Sequence, residues 1–231
     1  AQFADVVTVN SGKVGIGTSS PTVLLDLESA SPIIRLTDSD ASGTPECQVS
    51  GAGGDLIFDA DRDNEKASSL MAFKVDGSER MRIDATGAVT MPHQPAFLVK
   101  PNTEQSNIAL ASNVTVLFQT EIFDQNADFA NNTFTAPVAG KYQLNFSLYL
   151  KDINDAYQYI YARIQTSNRN YEVEIYPSTI FNSDGRITVG AGFLADMDAS
   201  DTAFVTVQVP NTGSAQMDIV VYSSFSGYLV A

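Results

Sequence analysis

The sequence contains one cysteine, one histidine and no tryptophan among its 231 residues. A single cysteine excludes an intrachain disulfide, so the fold must rest on apolar burial and strand pairing. Nucleophilic catalysis usually needs a histidine base beside the nucleophile, and the only histidine, His93, lies between Pro92 and Pro95. Cys47 has no basic neighbour in sequence that would activate its thiol. We therefore expect a protein that is not an enzyme.

Basic residues are also scarce, with 13 Lys and Arg against 27 Asp and Glu and a formal net charge of -14. Nucleic-acid grooves and anionic membrane surfaces require clustered Lys and Arg, so neither partner is expected. The sequence has no apolar run near the roughly 20 residues of a membrane span, and it does not open with a signal-peptide pattern. The 44% hydrophobic content predicts a packed core, and the lack of a long apolar run predicts no membrane insertion.

The sequence is rich in short segments that alternate between apolar and polar residues. The longest covers residues 141–151, where every second side chain is apolar, as expected for a strand with one buried face. Further alternating segments recur with polar turns between them at 96–99, 114–118, 157–164, 172–176, 187–194, 204–209 and 218–222. No convincing amphipathic helix is present. This spacing predicts an all-β sandwich or barrel.

A motif within this region resembles a known family signature. Phe134, Gly140, Tyr142 and Phe146 fit a phenylalanine followed after five residues by Gly-x-Tyr-x-(Leu/Phe)-x-Phe, as in the globular head of the complement C1q and tumour necrosis factor superfamily. Phe118, Asp124 and Phe129 fit the first half of that signature, and Phe225 and Gly227 fit its last strand. The resemblance implies a ten-stranded jelly roll over residues 93–231 that associates as a homotrimer.

The N-terminal part has a different character, and Pro92 and Pro95 mark the boundary before the predicted head. Its glycines, in Val14-Gly15-Ile16-Gly17-Thr18-x-x-Pro21, fit neither nucleotide-binding fingerprint. This stretch resembles a recurrent element of bacteriophage tail fibres, which implies a collar or attachment segment over residues 1–30 that contacts other virion proteins. Residues 31–92 contain weak strands that would be stabilised if three chains wrapped together; a small monomeric β-domain is the alternative.

Tyr157, Tyr159 and Tyr161 alternate with Ile160 and Ala162, so the segment has an aromatic face opposite an apolar one. Tyrosine hydroxyls must find partners when buried, and the family packs aromatic residues near its trimer axis. We predict that Tyr159 or Tyr161 lies at that axis, with Tyr157 on the same face. A solvent-exposed decorated face is the alternative.

Acidic clusters raise the question of a metal. Asp59, Asp61 and Asp63 alternate as in a calcium loop, but the glycine and later glutamate of an EF-hand are missing, and a solvated turn is favoured. Residues 196–201 contain three aspartates where members of the resembled family have a turn, and some relatives bind calcium near the top of the trimer. Calcium is therefore possible there, and no other cofactor is expected.

The resemblances together predict a homotrimeric viral or phage appendage protein, located on the virion and extracellular, that binds a host-surface ligand such as a glycan. The binding site is expected on loops at the distal end of the head, at residues 151–156, 166–171, 180–186 and 210–217. Two alternatives remain open at this point. One is a structural head-fibre, collar or decoration protein without a receptor, and the other is a secreted C1q-like lectin module.

Overall fold

A computed structural model describes residues 7–154, 157–180, 185–210 and 216–231. The chain divides into two compact units, Ala1–Met91 and Pro92–Ala231, which we call the N-terminal unit and the head. Strands make up nearly all of the regular structure, and α1 (Pro177–Ile180) is a single helical turn. In the part of the chain that is described, no helix is long and apolar enough to cross a membrane. The division of the chain into a collar segment (1–30), a stalk or small β-domain (31–92) and a head (93–231) stays a prediction.

Within its described residues 7–91, the N-terminal unit contains three separate three-stranded sheets. The strands are β1 (Val7–Asn10), β2 (Lys13–Ile16), β3 (Leu25–Leu27), β4 (Ile33–Thr37), β5 (Glu46–Ala52), β6 (Asp55–Ala60), β7 (Leu70–Val75), β8 (Ser78–Asp84) and β9 (Val89–Thr90). Each sheet takes three consecutive strands, in the orders β1-β2-β3, β4-β5-β6 and β7-β8-β9. All neighbours are antiparallel except β2 and β3, which are parallel.

The glycine-rich element at residues 14–21 spans the end of β2 and the first part of the connection to β3. The Glu28 amide donates to the Ile16 carbonyl at 2.9 Å, which brings the backbone of residue 28 against Gly17. Gly17 has φ +83°, and a Cβ there would lie 2.1 Å from the Glu28 carbonyl oxygen. Only glycine fits such a left-handed position in close backbone contact. These glycines therefore shape a tight β-structure, and no phosphate-binding role is needed to account for them.

The head is a sandwich of two sheets. Its strands are β10 (Ala96–Lys100), β11 (Asn113–Thr115), β12 (Thr120–Asp124), β13 (Phe129–Ala130), β14 (Thr133–Thr135), β15 (Gly140–Lys151), β16 (Ile160–Thr166), β17 (Asn170–Ile175), β18 (Ile187–Met197), β19 (Thr202–Gln208), β20 (Asp218–Ile219) and β21 (Ser224–Leu229). Sheet I has the order β12-β10-β21-β15-β18, with β20 also paired to β15. Sheet II has the order β13-β14-β19-β16-β17, with β11 also paired to β19.

This arrangement confirms the predicted all-β jelly roll. The described head has twelve strands where ten were predicted, because two-residue segments such as β13 and β20 form separate strands. The 12-residue strand β15 alternates as predicted, and the inward side chains of Tyr142, Leu144 and Phe146 are at most 3% exposed. Burial of each such side chain stabilises the fold by roughly 1.5–3 kcal/mol.

The signature residues meet in one core between the two sheets. The rings of Phe97 and Phe225 lie 5.0 Å apart, those of Phe118 and Phe225 lie 5.9 Å apart, and those of Phe134 and Tyr142 lie 5.4 Å apart. The Tyr142 hydroxyl donates to the Val138 carbonyl at 2.8 Å, so its one polar group is satisfied although the residue is fully buried. Aromatic pairs in these geometries add about 0.5–1.5 kcal/mol beyond simple burial.

The two glycines of the signature permit close packing. A Cβ on Gly227 would lie 2.6 Å from Leu144 Cδ2 and 2.8 Å from Phe97 Cε1, and one on Gly140 would lie 2.7 Å from the Ala231 carbonyl oxygen. Neither site has room for a side chain without displacement of its neighbours. The predicted signature residues Phe118, Phe134, Gly140, Tyr142, Phe146, Phe225 and Gly227 thus hold the sandwich together and are not placed at a surface site.

Candidate functional site on the head

The register of the strands defines two ends of the head. The first strand of the sandwich starts at Ala96, which pairs with Tyr228, and Gly140 pairs with Met197 at the same end. We call this the entry end, because the chain enters the sandwich there. At the opposite end Lys151 pairs with Asp218, and Ile160 pairs with Ile175. We call this the distal end.

The predicted binding loops do not all lie at one end. Residues 166–171, which were expected at the distal end, lie at the entry end, where Asn168 Nδ2 donates to the Asp196 carbonyl at 2.9 Å. This prediction was wrong because β16 runs from the distal end towards the entry end, so the turn that follows it lies at the entry end. Alternation predicts a strand but does not give the direction in which it crosses the sheet.

The other three predicted loops follow distal strand ends. Ile153 belongs to the first of them, and its amide donates to the Gly185 carbonyl at 3.0 Å. Residues 155–156, 181–184 and 211–215 lie outside the described residues. At the described edge of this end, Lys151 Nζ lies 2.8 Å from Glu104 Oε1 and 3.4 Å from Asp218 Oδ2. The hydrogen bond with Glu104 is the main cause of the raised pKa of Lys151.

The aspartates of the 196–201 turn are engaged with protein partners. Asp196 Oδ2 lies 2.7 Å from Arg169 Nη2, and Asp201 Oδ2 accepts from the Asp198 amide at 2.8 Å and from Asn168 Nδ2 at 3.0 Å. Over the described ranges, no three or more His, Cys, Asp or Glu side chains are grouped so as to hold a metal ion. The arrangement at this turn gives no geometric support to the possible calcium site.

The acidic segment at residues 59–63 has a structural role as well. Asp61 has φ +55°, and its two carboxylate oxygens accept from the Glu65 and Lys66 amides, each at 3.1 Å. These hydrogen bonds satisfy backbone donors in a turn. The favoured interpretation of this segment as a turn agrees with that geometry.

Three tyrosines form an aromatic cluster on the outer surface of the head near the distal end. The ring of Tyr159 lies 4.8 Å from that of Tyr161, with 60° between the ring planes, and 6.5 Å from that of Tyr176, with 62° between the planes. Tyr159 and Tyr161 are half-buried and Tyr176 is 49% exposed. We call these three residues the tyrosine cluster. Its rings present both flat faces and hydroxyl groups at the surface.

Charged and amide groups surround the tyrosine cluster. The Arg163 guanidinium lies 4.3 Å from the centre of the Tyr161 ring, close enough for a cation–π interaction. Arg163 also forms an ion pair with Glu172 and donates to Gln208 Oε1 at 2.7 Å. Partial burial, followed by the Glu174 carboxylate, raises the pKa of Tyr161. The phenol therefore stays protonated at neutral pH and can donate a hydrogen bond.

A further hydrogen bond extends the polar edge of the cluster. The Tyr176 hydroxyl donates to Glu174 Oε1 at 3.0 Å, and this bond is the main cause of the raised pKa of Tyr176. The cluster thus combines aromatic faces with carboxylate, amide and guanidinium groups within one small area of sheet II. Such a surface can stack against an apolar sugar face while it exchanges hydrogen bonds with hydroxyl groups.

The structure separates Tyr157 from the other two tyrosines of the predicted trimer axis. Tyr157 is 4% exposed and belongs to the core of the head, and it precedes β16, which starts at Ile160. The strand alternation does not extend back to it, so the expectation that Tyr157 shares an aromatic face with Tyr159 and Tyr161 was wrong. The placement of Tyr159 or Tyr161 at a trimer axis stays a prediction, and it is an alternative to ligand binding by the same rings, because a ring buried at the axis cannot meet a ligand.

The outer faces of the two sheets differ in character. Ile122, Phe123, Leu194 and Tyr228 are large exposed hydrophobic residues on strands of sheet I. The strands of sheet II carry none among their described residues, although Tyr176 directly follows β17. Apolar surface of this kind is typical of subunit interfaces. Sheet I is thus an alternative to the tyrosine cluster as the surface through which copies of the head could associate.

The two residues considered for catalysis are not members of this cluster. His93 accepts at its carbonyl from Asn126 Nδ2 at 3.1 Å, near the entry end of the head. Cys47 is an exposed free cysteine on β5 of the N-terminal unit. Tyr176 was not singled out from the sequence, since only the pairing of β16 with β17 brings it next to Tyr159.

Comparison with known proteins supports the fold assignment. The C1q domain family matches residues 96–230. The chain belongs to the C1q domain family. The C1q domain corresponds to the head described above, and the N-terminal unit lies outside the match.

Solved structures similar to this C1q-family chain include two globular proteins. The globular domain of zebrafish complement 1qA protein is 22% identical over 60% of this chain and 98% of its own, with a TM-score of 0.44. Murine APRIL at pH 8.0 is 9% identical over 59% of this chain and 99% of its own, with a TM-score of 0.45. The comparison with curated proteins finds no match.

Proposed function

We propose that this protein is a homotrimeric attachment protein whose C1q head binds a neutral glycan on a host surface through the tyrosine cluster. One observation carries the proposal. The tyrosine cluster lies on the same outer surface of the head as Glu174 and Arg163. Domains of the C1q and tumour necrosis factor type commonly form trimers and bind ligands, which agrees with this role. They are generally non-catalytic, and we propose that this chain is not an enzyme.

The position of the cluster suits recognition. Tyr161 lies within β16, and Tyr159 and Tyr176 lie next to the ends of β16 and β17, so the rings are supported by a rigid sheet. Its location towards the distal end keeps it away from the point where the chain enters the head. A trimer carries three copies of the site. Its overall affinity for a surface would exceed that of one weak site when all three copies bind at once.

Charge defines the class of glycan. The chain has a formal net charge of -14, and near the cluster Glu172 and Glu174 outnumber Arg163. Acidic sugars would meet like charge, which slows association and lowers affinity. We therefore expect neutral oligosaccharides to bind and sialylated or sulfated ones to bind poorly.

The binding test uses the full-length chain on an array of neutral and acidic oligosaccharides. Tyr161→Ala and Tyr176→Ala should each weaken binding to the neutral glycans by at least about tenfold, because stacking area is lost in every copy. Tyr222→Ala is the matched control, since Tyr222 is 80% exposed and lies outside the cluster. Equal binding by all three variants, or a requirement for acidic sugars, would contradict the proposal.

The biological setting is a separate part of the proposal. We propose a virion-surface appendage, supported by the resemblance of residues 14–21 to a tail-fibre element, with the N-terminal unit attached to other virion proteins. A secreted C1q-like lectin module is equally compatible with the family assignment. Mass spectrometry of purified virus particles and of particle-free culture medium would separate them, since a virion appendage must copurify with the particles.

A further inference from the structure

The described part of the N-terminal unit, residues 7–91, lacks a hydrophobic core of its own. Within residues 7–91 the buried residues are Gly15, Pro21, Gln48 and Asp61, and none of them is a large apolar residue. The hydrophobic core of the chain begins only at Phe97. Small sheets without an apolar core are not stable by themselves in water. Something outside this unit must cover its sheets.

The apolar side chains of the unit are at its surface. Seventeen large hydrophobic residues are exposed there: Val7, Val9, Ile16, Val23, Leu24, Leu25, Ile33, Ile34, Leu36, Leu56, Ile57, Phe58, Leu70, Phe73, Val75, Val89 and Met91. Side chains of this size, about half exposed, together present on the order of 1,000 Å² of apolar surface. So much exposed apolar surface is unusual for a monomeric protein, and it is comparable with the about 800 Å² that each partner buries in a stable interface.

Both faces of the sheets carry this surface. In β6 the consecutive residues Leu56, Ile57 and Phe58 are 68%, 43% and 56% exposed, and in β4 Ile33 and Ile34 are both exposed. Successive side chains in a strand point to opposite faces of the sheet. A partner that covers only one face would leave the other apolar face in water.

An open cleft lies within the same surface. It has a volume of about 270 Å³ and is lined by apolar side chains of two sheets, including Leu36, Val49, Phe58, Leu70 and Phe73. Three of these, Leu36, Phe58 and Phe73, are at least 50% exposed. The cleft is thus continuous with the exposed sheet faces and can receive side chains from a covering chain.

We propose that the N-terminal unit is an obligate interface between copies of this chain, closed into a ring in which two neighbours cover the two faces of each copy. A two-fold dimer matches one surface patch with itself and would cover only one face. A head-to-tail contact uses two different faces of each copy, and it closes into a ring of three or more copies when its rotation permits. That the ring contains three copies rests on the proposed homotrimer; the need for a covering copy on each face does not.

Copies of the same chain fit this surface better than a different protein would. The exposed apolar residues extend over all three sheets, from Val7 to Met91. A different protein would therefore have to contact nearly the whole length of the unit to cover them. In a cyclic trimer of heads, the entry ends of the three copies are related by the same rotation. A trimer of heads would therefore hold three N-terminal units together, and each unit would meet the others at a high effective concentration.

Amide hydrogen exchange of the full-length chain tests this interface separately from the head. The wild-type protein is measured at a concentration where light scattering gives a trimer. Under these conditions the backbone amides of β4, β5 and β6 should be protected from exchange. Ile57→Asp and Phe58→Asp should each accelerate exchange in these strands by at least tenfold, since a charge on either face disrupts a contact between copies. Exchange in β15 and β19 of the head should not change.

Two control variants make the test specific. Ala85→Asp adds the same charge at an exposed turn after β8 and should leave exchange unchanged, and Phe58→Leu should keep the protection. The ring would be overturned if the wild-type strands lack protection in the purified protein. It would also be overturned if they stay protected in a monomer, or if only one of the two Asp variants, or neither, has an effect. Glycan binding and the mass of the whole chain report the proposed function independently.

Discussion

The head and the N-terminal unit are both built of strands, yet they differ in where their apolar side chains lie. Every buried hydrophobic residue of the described chain belongs to the head, whereas 17 of the large exposed ones lie between Val7 and Met91. The head closes two sheets over one core, while the N-terminal unit has three small sheets that do not enclose one. Strand pairing satisfies the backbone in both, but only apolar burial makes a unit independently stable.

The largest effect should come from the aromatic core of the head. Phe225 is fully buried and contacts the rings of Phe97, Phe118 and Phe129, so Phe225→Ala should destabilise the head by about 3–5 kcal/mol. Denaturant unfolding followed by tyrosine fluorescence, a probe dominated by the head, measures this loss. Phe58→Ala in the N-terminal unit should leave the head transition unchanged. Equal effects of the two substitutions would show that the two units do not unfold separately.

A smaller effect should come from the packing of Gly227. A Cβ at this position would press on Leu144 and Phe97, so Gly227→Ala should cost about 1–3 kcal/mol through overpacking. Ser226→Ala, one residue earlier on β21, is the matched control and should change stability by less than about 0.5 kcal/mol. Thermal unfolding of both variants measures the difference. If Gly227→Ala were neutral, the sandwich would be more loosely packed than the structure indicates.

The smallest effect concerns two aspartates, one in each unit. In the head, Asp128 Oδ2 is buried and has no hydrogen-bond partner among the described residues. Burial raises the pKa of Asp128, a hydrogen bond with Asn126 opposes this shift, and the nearby Asp124 carboxylate adds to it. The protonated form is thus favoured in the folded head, and its contribution is lost as pH rises through the folded pKa. Asp128→Asn should therefore stabilise the head at pH 7 by a few tenths to about 1 kcal/mol after solvent screening.

This gain should disappear below about pH 4, where the carboxyl of the wild-type protein is itself protonated. Unfolding measured at pH 7 and at pH 3.5 tests the sign. Asp61→Asn is the comparison in the N-terminal unit, where both carboxylate oxygens accept backbone hydrogen bonds. Because one acceptor is replaced by a donor, this variant should destabilise its turn. Stabilisation by both substitutions would indicate a general charge effect of the acidic chain instead.

The sequence predicted the head well because its strands alternate strongly. β15 lies where the alternation of Tyr142 to Leu150 indicated it, and the family signature located the aromatic core around Phe134 and Phe225. Strand direction was not available from alternation, and this is why residues 166–171 were assigned to the wrong end. The same limit hid Tyr176, which reaches the tyrosine cluster through the pairing of β16 with β17.

The N-terminal unit was harder to predict because its strands have weak patterns. β5 (Glu46–Ala52) was missed, since its side chains are mostly small or polar and do not alternate in hydropathy. The sequence did indicate that these strands carry too little apolar area for independent stability. The position of Leu56, Ile57 and Phe58 on two exposed faces became evident only from the paired sheet.

The contrast between the two units can be tested most directly with residues 7–91 in two forms. One is the isolated segment, and the other is the segment fused to an unrelated trimeric coiled coil, which holds three copies together. Circular dichroism and thermal unfolding should show an unfolded chain in the first form and cooperatively melting β-structure in the second. A monomeric isolated segment that melts cooperatively would contradict the account, because it would have to possess a core that the exposed side chains exclude.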